Sequence, residues 1–240
     1  MRFLLTLLML SSLALASLTT ELDGEFTNPK DETLFDPLSG YNEMMTSFND
    51  TVYVYALRPL AQGYAAILPR PAREGIGNAF ENLLFPVRLV NNLLQFKFQN
   101  SIEELGRFVI NSTIGILGFM DVAQSEFGLK PHNEDFGQTL GFYGLGGGFH
   151  VVLPFLGPSN VRDIVGLVGD TWASPLSYIE ERDANLLDSS EEEWALKGFS
   201  GLNKISLHVD EIDALRKDAI DLYPLLRSIY ESRRVKQISE

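Results

Sequence analysis

The sequence predicts a mainly α-helical fold. Three observations carry that prediction: apolar residues recur at helical spacing wherever periodicity is clear, prolines and capping residues stand at segment starts, and strand-like alternation is scarce. The 240 residues include no cysteine, so the fold must form without disulfides. The balance is acidic, with 32 Asp and Glu against 19 Lys and Arg. That argues against nucleic acid as a partner, because binding there depends on neutralising phosphates with basic residues. It also argues against simple electrostatic adhesion to anionic headgroups, so any membrane contact must be apolar or protein-mediated.

Taken in order, residues 1–16 read as an export signal. Met1-Arg2 is followed by an apolar run over 3–10, and Ala14-Leu15-Ala16 places cleavage before Ser17. The run is too short to cross a bilayer core, which needs roughly 20 apolar residues. Residues 17–36 form an acidic leader, 37–180 an apolar and aromatic body, and 181–240 an acidic linker with C-terminal amphipathic helices. Cleavage leaves about 220 residues, enough for one substantial domain or two small ones.

Within the body, Pro71 suits the first turn of a helix over 72–84, where its missing N–H costs nothing. Over 101–117, Ile102, Leu105, Phe108, Val109 and Ile116 follow the spacing of one helix face. Asn100 reads as the N-cap, with Glu103 completing a capping box. A further stripe joins Ile212, Leu215, Ala219, Leu222, Leu226 and Ile229. The one good strand candidate is the apolar run 149–155. It lies in a hairpin or loop whose apolar residues are Val151, Val152, Leu153, Pro154, Phe155 and Leu156.

The most informative helix is predicted over 87–98. Arg88, Asn91, Asn92 and Gln95 fall at i, i+3, i+4 and i+7 and share one narrow polar face, while Leu89, Val90, Leu93, Leu94 and Phe96 cover the rest. An ordinary surface helix has the opposite proportions. Such a helix is either buried in a core that bonds its amides or faces lipid outside and a polar lumen inside.

Catalytic signatures are missing from the sequence. The glycines over 137–148 lead into an apolar run closed by Pro154 rather than into a helix start, which argues against a phosphate loop. His132 lacks a second histidine at i+4, and no Gly-x-Ser-x-Gly elbow exists. Ser159 reads as an N-terminal residue of the helix through Arg162 and Asp163. The acidic run 188–193 lacks calcium-loop spacing. No cofactor or metal is implied.

Several motifs together resemble one family. They begin with Asp36-Pro37-Leu38-Ser39-Gly40-Tyr41-Asn42, Phe48-Asn49-Asp50, Leu57-Arg58-Pro59 and Leu68-Pro69-Arg70-Pro71. Val90-Asn91-Asn92-Leu93-Leu94-Gln95, Gly106-Arg107-Phe108 and Gly115 through Asp121 continue in order. Glu134-Asp135-Phe136-Gly137-Gln138-Thr139-Leu140-Gly141 and Leu153-Pro154-Phe155-Leu156-Gly157-Pro158-Ser159 with Arg162-Asp163 close the series. By order and spacing the chain resembles the MlaA (VacJ) family over 35–178, and the match thins to 186–189 and 230–234 beyond.

The resemblance implies a ring-like helical domain embedded in one leaflet of the outer membrane, on its periplasmic face. An amphipathic passage through the ring would move phospholipid between the outer leaflet and a periplasmic carrier protein, with a trimeric porin as a further partner. Arg88, Asn91, Asn92 and Gln95 are then the expected lipid-passage residues, and Phe48 and Asn49 the expected gating pair on the first helix. Most members of that family carry an N-terminal lipid-modified cysteine, which this chain lacks. It is therefore expected to be exported but not lipidated. The competing expectations are a soluble periplasmic adaptor that binds lipid or protein, and a lipid hydrolase using a serine with His132 or His150.

Overall fold

The computed structural model describes residues 36–175 and 190–240. The export signal, the leader up to residue 35, the linker up to residue 189 and the 186–189 motif lie outside the described residues. The chain begins with α1 (Ser39–Val52), which runs through a π-helical turn, Tyr53–Leu57, into α2 (Arg58–Ile67). Pro59 explains the wide turn, because its ring has no N–H to give and would crowd a carbonyl four residues back in a regular helix. The Arg58 N–H reaches the Tyr53 carbonyl instead.

Next comes α3 (Arg70–Leu83), with Pro71 in its first turn as expected. α4 (Phe85–Leu94) carries Pro86 in its first turn and ends four residues before the expected 98, just ahead of Phe96, which is left-handed at φ 59°. α5 (Phe98–Thr113) has Lys97 as its N-cap, so the expected capping box at Asn100 does not form; Glu103 meets Gln99 and His132 instead. The helix stops short of 117 because Ile116, Leu117 and Gly118 are all left-handed. Two short helices follow, α6 (Val122–Ser125), capped by Asp121, and α7 (Phe136–Phe142), opened by a capping box of Asp135 and Gln138.

The expected strand is real. β1 (His150–Leu153) pairs antiparallel with β2 (Gly157–Asn160), Val152 opposite Pro158. Phe155 and Leu156 project from the connecting turn, 70% and 71% exposed. Ser159 lies in β2, not in the following helix; the cap of α8 (Val161–Ala173) is Asn160, whose side chain accepts the Asp163 N–H. The C-terminal part consists of α9 (Ser190–Leu207), α10 (Val209–Asp218) and α11 (Leu222–Ser239). The predicted stripe 212–229 is therefore split at Ala219, which is extended. Ile229 is exposed, while the inward face of α11 carries Tyr223, Arg227 and Arg234.

Packing runs in a closed circuit. α1 continues into α2, α2 and α3 pack on α9, α3 meets α4, α4 meets α7 and α8, and α7 meets α11, which returns to α1. The ring-like arrangement that the resemblance implies is thus matched by the contacts. α7 and α8 cross where a Cβ on Gly166 would come within 2.5 Å of the Gly137 nitrogen, so both helices need glycine at the crossing.

The interior is inverted. Among the described residues, six hydrophobic side chains are buried against twenty-four polar or charged ones. The apolar side chains are on the outside: Ile102 is 71% exposed, Val168 62% and Trp172 76%. Large exposed apolar patches are rare on water-soluble monomers and mark protein or membrane interaction sites. No described helix is long and apolar enough to cross a membrane.

Candidate functional site

The polar face of α4 is buried as a whole, with Arg88, Asn91, Asn92 and Gln95 each less than a tenth exposed. Each reaches a different element. Arg88 Nε donates to Glu104 on α5 at 2.7 Å, and its Nη1 to the Glu81 carbonyl at 2.7 Å. Asn91 Nδ2 donates to Asp170 on α8 at 2.9 Å and its Oδ1 accepts from Thr139. Asn92 donates to the His132 carbonyl, and Gln95 to Glu134 and Thr139. All four expected passage residues therefore bond protein groups, and of the four only Arg88 also lines one of the two polar cavities nearby.

α5 supplies what the sequence reading missed. Its outward face is the apolar stripe used to predict it, and its inward face carries Ser101, Glu104, Arg107 and Asn111. Their spacing of three and four was available as a signal, but the apolar stripe drew the assignment. Glu104 is fully buried. It accepts Arg88 and the His132 N–H, each at 2.7 Å, and lies 3.9 Å from Arg107 Nε. Arg107 donates to Asp121 at 2.9 Å and to the Leu129 carbonyl. Burial pushes the Asp121 carboxyl up, and the bonds from Arg107 and Asn111 outweigh it, so the group stays below the ordinary range.

Two polar cavities flank this hub. One, of about 210 Å³, is bounded by α3, α4 and α5 and lined by Asn82, Arg88, Arg107, Asn111 and Asp121 among others. The second, of about 420 Å³, has Lys97, His132, Glu134, Gln138 and Glu240 in its wall. Pro131 and Asn133 line both, so one loop separates them.

A second cluster binds α7, α8 and α11. Arg234 donates to Asp163 at 2.7 Å and, through two nitrogens, to Asp135 at 2.7 and 2.9 Å. Arg162 and Tyr230 also bond Asp163. Burial pushes the Asp163 carboxyl up, but the bonds from Arg234, Arg162 and Tyr230 hold it below its ordinary value. Asp170 has no such cation in contact, and burial pushes it up to about 6, against the bond from Asn91 and helped by the charge of Asp135.

The first helix holds the hairpin through two asparagines. Asn42 accepts the Val152 N–H at 2.9 Å and donates to the His150 carbonyl at 3.0 Å; Asn49 accepts the Phe155 N–H at 2.7 Å and donates to the Leu153 carbonyl at 2.9 Å. The amides thus act on the edge of β1 as a third strand would. Phe48 meets Phe155 edge-on at 5.3 Å. The expected gating pair is therefore in direct contact with the hairpin turn. Each histidine pairs with a glutamate: His132 with Glu103, His150 with Glu231 and His208 with Glu211. Among the described residues no cluster of metal-ligating side chains occurs.

Comparison with known proteins agrees with this architecture. The family model described as MlaA lipoprotein matches residues 34–237, well beyond the 178 at which the recognisable motifs thin out. The intermembrane phospholipid transport system lipoprotein MlaA of Escherichia coli (strain K12) is 34% identical over 232 residues, 94% of this chain and 87% of that protein. An uncharacterized protein of Rickettsia bellii (strain RML369-C) is 29% identical, covering 95% and 91%. A solved structure concerned with the maintenance of bacterial outer membrane lipid asymmetry superposes with a TM-score of 0.70 at 32% identity, covering 85% of this chain and all of that one. The chain belongs to the MlaA family.

Proposed function

We propose that this chain is a phospholipid-transport component of the outer membrane, seated in one leaflet, that serves lipid asymmetry and passes headgroups through the polar interior of its ring. The inverted packing carries the reading. An apolar exterior requires lipid around it, and a polar interior gives a headgroup somewhere to go. The related protein of E. coli is named for intermembrane phospholipid transport, and the 34% identity spans nearly the whole chain. Arg88, at the edge of the smaller cavity, faces the passage, while Asn91, Asn92 and Gln95 fix the wall behind it. Phe48 and Asn49 hold the hairpin that gates it. A periplasmic carrier takes the lipid on, and a trimeric porin is the partner suggested by the family resemblance. The chain carries lipid rather than transforming it, is exported by its signal, and is held at the membrane by its apolar surface.

The test is the phospholipid content of the outer leaflet in cells lacking this protein. A change that the intact gene reverses, and that variants of Arg88 do not, supports the passage. An unchanged leaflet sinks it and favours the soluble adaptor, which an alkaline wash would release from membranes.

A further inference from the structure

Both cavities are polar, but neither has a cation to spare. In the smaller one, Arg88 faces Glu104 at 2.7 Å and Glu81 at 3.5 Å, and Arg107 faces Asp121 at 2.9 Å. In the larger one, Lys97 faces Glu134 at 2.6 Å and Glu240 adds a second carboxylate to the wall. Lys204 reaches Glu81 at 3.5 Å, yet it is 74% exposed and spends its charge largely in water. A lone phosphodiester entering here would meet carboxylates at every guanidinium. A headgroup carrying its own ammonium would not, because its two charges can exchange with an existing ion pair and leave the sum unchanged. One donor is also waiting: Arg107 Nε is buried without a hydrogen-bond partner.

We infer that the passage selects zwitterionic, amine-bearing phosphodiester headgroups over net-anionic ones, with Glu81 as the residue that receives the ammonium beside Arg88. Glu81 suits that role because its side chain is 52% exposed and holds Arg88 only loosely. The same chemistry is present in an intact lipid and in its free headgroup, so both are tested. The inference rests on the passage reading above, and the experiment separates the two.

Full-length protein in detergent is offered phosphatidylethanolamine and phosphatidylglycerol in equal amounts with identical acyl chains, and retained lipid is counted by native mass spectrometry. Phosphatidylethanolamine should be enriched by at least about fivefold, the factor that one pair of unit charges about 4 Å apart carries even under water-like screening. Glu81→Gln should abolish the enrichment and Glu81→Lys should reverse it; at this half-exposed position neither change threatens the fold. Glycerophosphoethanolamine in excess should displace the lipid's head where glycerophosphoglycerol does not; equal displacement by the two overturns the selectivity. Equal retention of both lipids, or enrichment that Glu81→Lys leaves in place, overturns it too and leaves the passage standing. Retention of no lipid by the wild-type chain overturns the passage and the selectivity together.

Discussion

The replacement Glu104→Gln tests whether the polar interior is held by charge. Glu104 is fully buried and makes two 2.7 Å bonds, one from Arg88 and one from the His132 N–H. Glutamine keeps one acceptor oxygen and places an NH2 where a second is needed. The buried Arg88, with a side chain 10% exposed, then loses its closest counter-charge. Breaking one side of a buried ion pair costs about 3–5 kcal/mol. At about 2–4 °C per kcal/mol for a domain of this size, the midpoint should fall by about 6–20 °C. Thermal unfolding followed by far-UV circular dichroism at a fixed scan rate, in one detergent, reads this directly.

The double replacement sharpens the test. Arg88→Met alone should cost as much as Glu104→Gln, because it strands the carboxylate. Arg88→Met with Glu104→Leu removes both charges and should cost less than the two single changes together, leaving mainly the unpaired His132 N–H at about 1–3 kcal/mol. If Glu104→Gln shifts the midpoint by less than about 3 °C, or the costs simply add, water rather than protein satisfies the pair. The interior would then be an open, hydrated lumen.

Three further outcomes follow from the geometry. Asn42→Ala removes the side chain that bonds Val152, His150 and Tyr223; it should cost about 2–4 kcal/mol and speed hydrogen exchange at the Val152 amide, and unchanged protection there would refute the edge-pairing role. Asp170, raised by burial from 3.8 to about 6, gives stability that is complete below about pH 4, falls as pH rises to about 6 and is absent above, about 3 kcal/mol in all. Asp170→Asn keeps an acceptor for Asn91 and the Phe136 N–H, so unfolding midpoints between pH 4 and 7 should lose that slope; an unchanged slope places its origin elsewhere. Gly166→Ala should force α7 and α8 apart and cost about 1–3 kcal/mol, and a midpoint equal to wild type would show that the crossing can relax.

Helix type was legible in the sequence wherever proline or periodicity spoke, as at Pro71 and over α5. Helix ends were less so, because they depend on single residues in left-handed geometry, such as Phe96 and Ile116, that no propensity favours. The narrow polar face of α4 was read correctly as a face, and its surroundings were left open between a core that bonds it and a polar lumen. Periodicity shows that Arg88, Asn91, Asn92 and Gln95 lie together; it does not say whether water or protein meets them. Their partners are Glu104, Asp170, His132 and Glu134, from segments up to 79 residues away. The apolar stripe of α11 misled for the same reason. The carboxylates that turn its Arg227 and Arg234 inward, Asp36, Asp135 and Asp163, are distant in sequence.

The inversion also fixes how the chain can sit in a membrane. α5 is the longest helix of the body described up to residue 175, and its 16 residues measure about 24 Å, less than the roughly 30 Å of a hydrocarbon core. Its inner face carries Glu104 and Arg107, which must not meet lipid tails unpaired. A single such helix would be unstable in a bilayer, whereas a closed circuit of them turns every charged face toward another. Ring closure is therefore a requirement of the polar interior. Residues such as Arg234, which bonds α7 and α8 from the far end of the chain, belong to the transport body as much as α4 does. On the passage proposed above, a headgroup that enters would substitute for a pairing that already exists, and a zwitterion would do so without stranding a charge.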